Sequence, residues 1–351
     1  MNKSLRFLLL LVPLLLGRGG ETESIDALVE AGHFRRAKAA LAGLLAAEPN
    51  NAHWHYRLAQ CQEAFGDLDA ALKSARTAAQ VDANNTTYRA YVAGVLSEKA
   101  SHAGGLGALG TARSAKAEAE AAVRLDPNNM DALIILANYL AEAPGIAGGN
   151  KQEAAKLADR IAQLDPAEGY AIRVSLPPPK DAAAAEELYW KAIQANPKHY
   201  DARVGLARFQ WLQKKYAAAE AESREAVKLF PDRIGEYEML ARIAADQQHL
   251  ADLDVILAAA ERAVPDNLSP YFFAGRRLLA AGGDPTRAES YLRKYLASER
   301  EGDAPTFAMA HWQLGLTLEK AGRKKEAVAE LETACSAPDR LDSTEGVSWS
   351  H

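Results

Sequence analysis

Cysteine is almost absent from this chain of 351 residues, which holds only Cys61 and Cys335. Two thiols exclude a disulfide framework and a structural zinc cluster. They lie 274 positions apart, too far to meet in an elongated array, so both are expected to serve as small helix-packing residues. Aromatic residues are also scarce, at 7%, and alanine fills the gap, a balance that favours closely paired helices over a β-sandwich. Positive charge is not in excess. The 41 Lys and Arg residues face 46 Asp and Glu residues, for a net charge of −5, the wrong sign for a general nucleic-acid binder. Hydrophobic residues at 48% and charged residues at 25% exclude both disorder and a polytopic membrane protein.

One apolar run stands at the start. Lys3 and Arg6 precede Phe7–Leu16, and Gly17-Arg18-Gly19 supplies a small-x-small exit, the pattern of a secretory signal over residues 1–19. Ten apolar residues are about half of a bilayer span, so no stable membrane span is expected after cleavage. The protein is therefore expected to be exported, periplasmic or secreted. Cutting after Gly19 removes Lys3, Arg6 and Arg18 and leaves 38 basic against 46 acidic residues, a net charge of −8.

Catalytic signatures are missing. There is no H-E-x-x-H, C-x-x-C or G-x-S-x-G, and His53 and His55 at i, i+2 point to different sides of a helix. Gly105-Leu106-Gly107-Ala108-Leu109-Gly110 spells G-x-G-x-x-G, but the dinucleotide fingerprint requires a preceding strand, and the preceding segment has a helical pattern. The stretch is expected to be a loop. Gly148-Gly149-Asn150-Lys151 lacks phosphate-loop spacing and is expected to be a long turn. No catalytic residue, metal site or cofactor is assigned, and the chain is taken as non-enzymatic.

What the sequence does contain is a period. Stops at positions 49, 83, 127, 166, 197, 231, 265, 305 and 338, all proline except Ala83, are separated by 34, 44, 39, 31, 34, 34, 40 and 33 residues. Ala37, Ala71, Ala115, Ala154, Ala185 and Ala219 each lie twelve places before a stop. Further upstream come large-small pairs such as Leu58-Ala59, Leu136-Ala137, Leu206-Ala207, Leu240-Ala241 and Leu314-Gly315. The small residue lets paired helices approach, the large one fills the space between them, and proline ends the second helix. Nine helix-turn-helix units are expected over 18–51, 52–85, 86–129, 130–168, 169–199, 200–233, 234–267, 268–307 and 308–340.

This pattern resembles the tetratricopeptide repeat family, which implies an all-α superhelix (α-α solenoid) built of about nine repeats. The turn Ala143-Pro144-Gly145-Ile146-Ala147-Gly148-Gly149 resembles a group of exported bacterial members of that family. Pro177-Pro178-Pro179 is expected to cut off the first helix of unit 5 and bend the array, giving an N-terminal array over 20–168 and a C-terminal array over 169–340, with a loose tail over 341–351.

Arg208, Arg242 and Arg276 are spaced by 34 and 34 residues, each directly after a small residue. The resemblance implies that this position faces the concave groove, where the three would stack as a ladder. Trp211, Glu238 and Phe272, with Val204, would line the groove beside it. Planar guanidinium forks suit a partner segment bearing carboxylates. Family members that clamp chaperone tails carry Lys and Asn at set groove positions. Val204, Arg208, Glu238 and Arg242 stand there instead, so a chaperone-tail reading gains no support. The leading expectation is a scaffold binding an extended or helical segment of a protein or peptide partner. The alternative is a small-molecule-binding or enzymatic protein using the loops of units 3 and 4, through Lys99, His102, Lys151 or glycine N–H groups.

Overall fold

The computed structural model describes residues 24–103, 105–176 and 179–337. The expected signal segment, the tail, and Pro177 and Pro178 at the expected bend lie outside these residues. The described residues form helices and no strand, an all-α superhelix. Eighteen α-helices fall into nine consecutive pairs: α1 (Ile25–Ala31) with α2 (Phe34–Ala47), α3 (Ala52–Ala64) with α4 (Leu68–Val81), α5 (Thr86–His102) with α6 (Gly105–Leu125), and α7 (Met130–Glu142) with α8 (Lys151–Leu164). Then follow α9 (Pro166–Ile172) with α10 (Ala182–Ala195), α11 (Tyr200–Leu212) with α12 (Tyr216–Leu229), and α13 (Ile234–Asp246) with α14 (Leu250–Ala263). The last pairs are α15 (Ser269–Ala280) with α16 (Pro285–Leu296) and α17 (Phe307–Lys320) with α18 (Lys324–Ser336).

The repeated small residues do the packing. Ala59, Ala137, Ala207 and Ala241 are all fully buried. A Cβ on Gly275 would lie 2.8 Å from Leu292 Cγ, and one on Gly315 would lie 2.7 Å from Leu331 Cγ, so these two pairs approach too closely for a side chain. The recurring Asp-x-Asn-Asn phrase acts as a stop and a start together. Asn85 accepts hydrogen bonds from Thr87 and Tyr88 N–H, and Asn129 accepts one from Ala132 N–H, capping α5 and α7 at a gain of about 1 kcal/mol each. Between the helices of a pair, a left-handed residue reverses the chain. Gly32, Gly66, Gly282 and Gly322 take this conformation, and Lys214 and Gln248 adopt it in two units without glycine.

The odd-numbered helices pack on one another through successive units, α1 on α3, α5 on α7, α11 on α13, α13 on α15 and α15 on α17, and no comparable contact joins the even-numbered helices. The odd helices therefore form the inner, concave layer. That layer is interrupted between α3 and α5 and again at α9, which packs on α8 and α10 without comparable contact to α7 or α11.

Several expectations change. The G-x-G-x-x-G stretch is not a loop. Residues 105–110 are the first turns of α6, because the extra residues of unit 3 lengthen both of its helices, to 17 residues in α5 and 21 in α6. Pro166 opens α9 rather than closing α8, since Asp165 caps the new helix and proline needs no N–H at its first position. The helix boundary thus falls at Asp165, three residues before the expected division at 168, and α9 ends at Ile172, ahead of the triple proline. Cys61 is buried as expected, whereas Cys335 is exposed, and neither is in a disulfide.

The extra residues of unit 8 have a structural use that the repeat pattern does not reveal. They form the segment between α16 and α17, which reaches the first repeat. Arg35 N–H donates to Glu301 Oε1 at 2.8 Å, and its guanidinium lies 2.7 Å from Glu299. His33 Nδ1 lies 3.0 Å from Asp266 Oδ2, and Glu301 is 1% exposed. A Cβ on Gly302 would fall 2.8 Å from Phe34 Cδ2 and 2.9 Å from Ala64 Cβ. The superhelix therefore closes on itself through one turn. Gly302→Leu should open this contact at a cost of about 1–3 kcal/mol. Small-angle scattering should then show a larger radius of gyration with the helical circular-dichroism signal retained; an unchanged radius would refute the closure.

Candidate functional site

Arg208, Arg242 and Arg276 stand on α11, α13 and α15, three successive inner helices. Their register is set beneath them by Ala207, Ala241 and Gly275, all buried against neighbouring helices. Arg208 is exposed, and Arg242 and Arg276 are half-buried. Burial lowers the pKa of Arg242, and the charges of Arg276, Arg208 and Arg277 lower it further. The structure therefore brings the three into one electrostatic cluster and adds Arg277, which the repeat spacing did not single out. Arg276 is shifted down by burial and by Arg277.

The Arg242 guanidinium sits 3.7 Å above the Phe273 ring and 3.6 Å from Glu238 Oε2, while its buried Nε has no partner. Glu238 also accepts from the Ser269 hydroxyl, and burial raises its pKa against the pull of Arg242 and Ser269. Glu238 thus serves first to hold Arg242. Trp211 is fixed on its polar edge, where Nε1–H donates to Asp246 Oδ2 at 2.8 Å and Arg277 donates to Asp246 Oδ1 at 2.7 Å. Phe272 corrects the expectation. It is fully buried, packed against Phe273 and Tyr295 in the core, so it cannot line a groove; adjacent helical positions face different ways, and Phe273 is the ring that meets Arg242.

These helix pairs, with A helices inside and small residues in fixed register, match two family models described as tetratricopeptide repeat, one over residues 22–86, 105–168 and 274–342 and the other over 179–245. The chain belongs to the tetratricopeptide repeat family. Proteins of this repeat generally mediate protein–protein interaction. No curated protein matches the sequence. Among solved structures the chain is similar to a tetratricopeptide repeat protein from Parabacteroides merdae ATCC 43184, at 14% identity over 81% of this chain and 92% of that one, with a TM-score of 0.41. It is also similar to yeast Tom70, at 13% identity over 91% of this chain and 85% of that one, with a TM-score of 0.41.

The N-terminal half of the tetratricopeptide groove differs in chemistry. At the register position that carries the arginines, units 2 to 4 hold Gln60, Gly94 and Asn138. Tyr56 packs on Tyr88 and Tyr91 at 5.1 Å each, and the Tyr91 hydroxyl donates to Glu63. Burial raises the pKa of Glu63, and Glu98 and Asp303 raise it further, while Asp131 and Asp303 are exposed. The groove thus carries tyrosines and carboxylates toward one end and the arginine cluster toward the other. The tyrosine cluster was missed because its members do not repeat at 34 residues.

Most of the groups named for the alternative are engaged elsewhere. Lys99 pairs with Asp69, and His102 Nε2 lies 2.8 Å from Glu98. Gly148 and Gly149 N–H groups donate to Gly145 and Pro144 carbonyls inside the turn. Among the described residues no group of three or more His, Cys, Asp or Glu could hold a metal ion, and no helix is long and apolar enough to cross a membrane.

Beneath the arginines, Glu236 is 1% exposed, and burial pushes its pKa up to about 7 from 4.5. The folded protein holds a proton there that the unfolded chain releases, so this contribution to stability is present below pH 4.5 and is lost as pH rises through 7. Glu236→Gln should therefore be more stable than wild type at pH 8, by up to about 3 kcal/mol, and melt higher there, while melting near wild type at pH 4.5. Paired thermal melts across that range check this; equal melting at pH 8 would contradict it.

Proposed function

We propose that the protein is a non-enzymatic scaffold of the cell envelope or periplasm, which holds an extended or helical, carboxylate-bearing segment of a protein partner in its concave groove. The reading is carried by one observation: Arg208, Arg242 and Arg276 converge on the inner layer as one charged cluster, with Arg242 held flat on Phe273. Guanidinium groups fixed in plane offer paired donors to carboxylates and lose little entropy on binding. The overall charge of −5 makes this local reversal of sign a selective feature, because acidic segments are repelled elsewhere and drawn to the ladder.

The exported location rests on Lys3, Arg6 and the run Phe7–Leu16, and on the resemblance of the Ala143–Gly149 turn to exported bacterial proteins of this repeat. The change at one register position, from Gln60, Gly94 and Asn138 in units 2 to 4 to Arg208, Arg242 and Arg276 in units 6 to 8, supports two arrays with different groove chemistry, in which the C-terminal one carries the partner's acidic stretch.

Arg208→Glu combined with Arg276→Glu should reduce capture of the native partner by roughly tenfold or more, two favourable charge contacts being replaced by two repulsions. Arg242 is left in place because it neutralises Glu238. Quantitative mass spectrometry of material retained from the native envelope, with wild type and variant compared, measures the effect. Equal recovery of every partner by a variant with an unaltered helical spectrum would rule out the ladder.

A further inference from the structure

The lengthened helices of unit 3 and the Ala-Pro-Gly turn of unit 4 line a half-open cavity of about 490 Å³, inside the range of small-molecule sites. Its walls come from α5 at Gly94, Ser97, Ala100 and Ser101, from α6 at Ala108, Leu109 and Ala112, and from α7 at Ile135 and Asn138. Gly94 occupies the register position that carries arginine in units 6 to 8, and its missing side chain leaves the space open. The roof is fixed. Tyr139 donates to the Ala147 carbonyl at 2.6 Å, Arg113 to that of Ile146 at 3.0 Å and Lys116 to that of Gly148 at 3.2 Å. A Cβ on Gly149 would lie 1.8 Å from the Ala143 oxygen, so the turn admits only glycine there. A pocket held this way is preorganised and gives up little freedom on binding.

The polar groups on the walls point to one kind of ligand. Ser97 and Ser101 donate their hydroxyl protons to the Ala93 and Glu98 carbonyls, and Tyr139 spends its proton on the roof. Each of these three oxygens keeps only lone pairs for an occupant, and the Asn138 amide is the one neutral N–H donor among the lining side chains. Glu142, an exposed residue of the lining, makes no hydrogen bond or ion pair among the described residues, and no lining residue is a cation. We propose that this cavity binds a small amphiphile with an apolar aliphatic or aryl body and an ammonium head, the body between α5 and α6 and the head toward Glu142 and the serine oxygens. The site is independent of the arginine ladder.

The full chain is titrated with N-phenyl-1-naphthylamine, whose fluorescence rises in apolar surroundings, and the bound dye is competed with octylamine, octanol and octanoate. Saturable binding is expected, with octylamine displacing the dye at about tenfold lower concentration than octanoate. Ala108→Trp, which fills the cavity, should abolish dye binding with the helical spectrum retained. If that variant does not fold, Ala100→Phe serves the same purpose from α5. Glu142→Gln should keep the dye and narrow the amine preference, and Arg208→Glu should change neither. Dye binding that is not saturable, that survives filling of the cavity, or that octanoate displaces as well as octylamine does would overturn the proposal. None of these results bears on partner capture by the ladder.

Discussion

Alanine and glycine at the contact between paired helices set the distance on which the other features of this molecule depend. With Ala207, Ala241 and Gly275 buried against neighbouring helices, each pair closes to backbone separation and each next residue is presented at the same angle on the inner layer. A side chain larger than a methyl group would push the helices apart by several tenths of an ångström, and that error would accumulate along an array in which each unit touches only its neighbours. The three arginines form a cluster because three small residues hold one register.

The same constraint explains where the array departs from regularity. Extra residues cannot be absorbed at a helix contact without breaking it, so they go to helix ends and connections. In unit 3 they add turns to α5 and α6, in unit 4 they form the glycine-rich turn, and in unit 8 they make the segment that holds Arg35 through Glu299 and Glu301. Each departure builds something regular repeats lack: a cavity at the first two and the closure of the superhelix at the third.

Charge follows a related logic. Buried ionisable groups cost several kcal/mol unless they are paired or neutral, and the inner layer meets this cost in two ways. Asp246 is paired through Trp211 and Arg277, and Arg242 through Glu238 and the face of Phe273. For Glu236, burial instead raises the pKa to about 7, which favours the neutral form. Arg242 and Arg277 are tolerated in this half-buried layer because acids and a ring support them.

Helix count, pairing and the ladder's register were legible in the sequence, because a 34-residue period in small residues, large-small pairs and prolines reports local packing that is repeated nine times. The asymmetric cases were not. Phe272 and Phe273 are adjacent in sequence, and only the rotation of α15 decides that Phe272 fills the core while Phe273 carries Arg242. Residues 105–110 carry glycines suited to a loop, yet tertiary pairing with α5 makes them helix. The contact of His33 with Asp266 spans 233 positions, and no local pattern encodes it. By itself the sequence determined the repeated unit, since each unit's contacts lie within a few tens of residues. Only the tertiary structure decided the closure, the cavity and the side chains that meet at each end of the groove, which depend on the summed curvature of all the units.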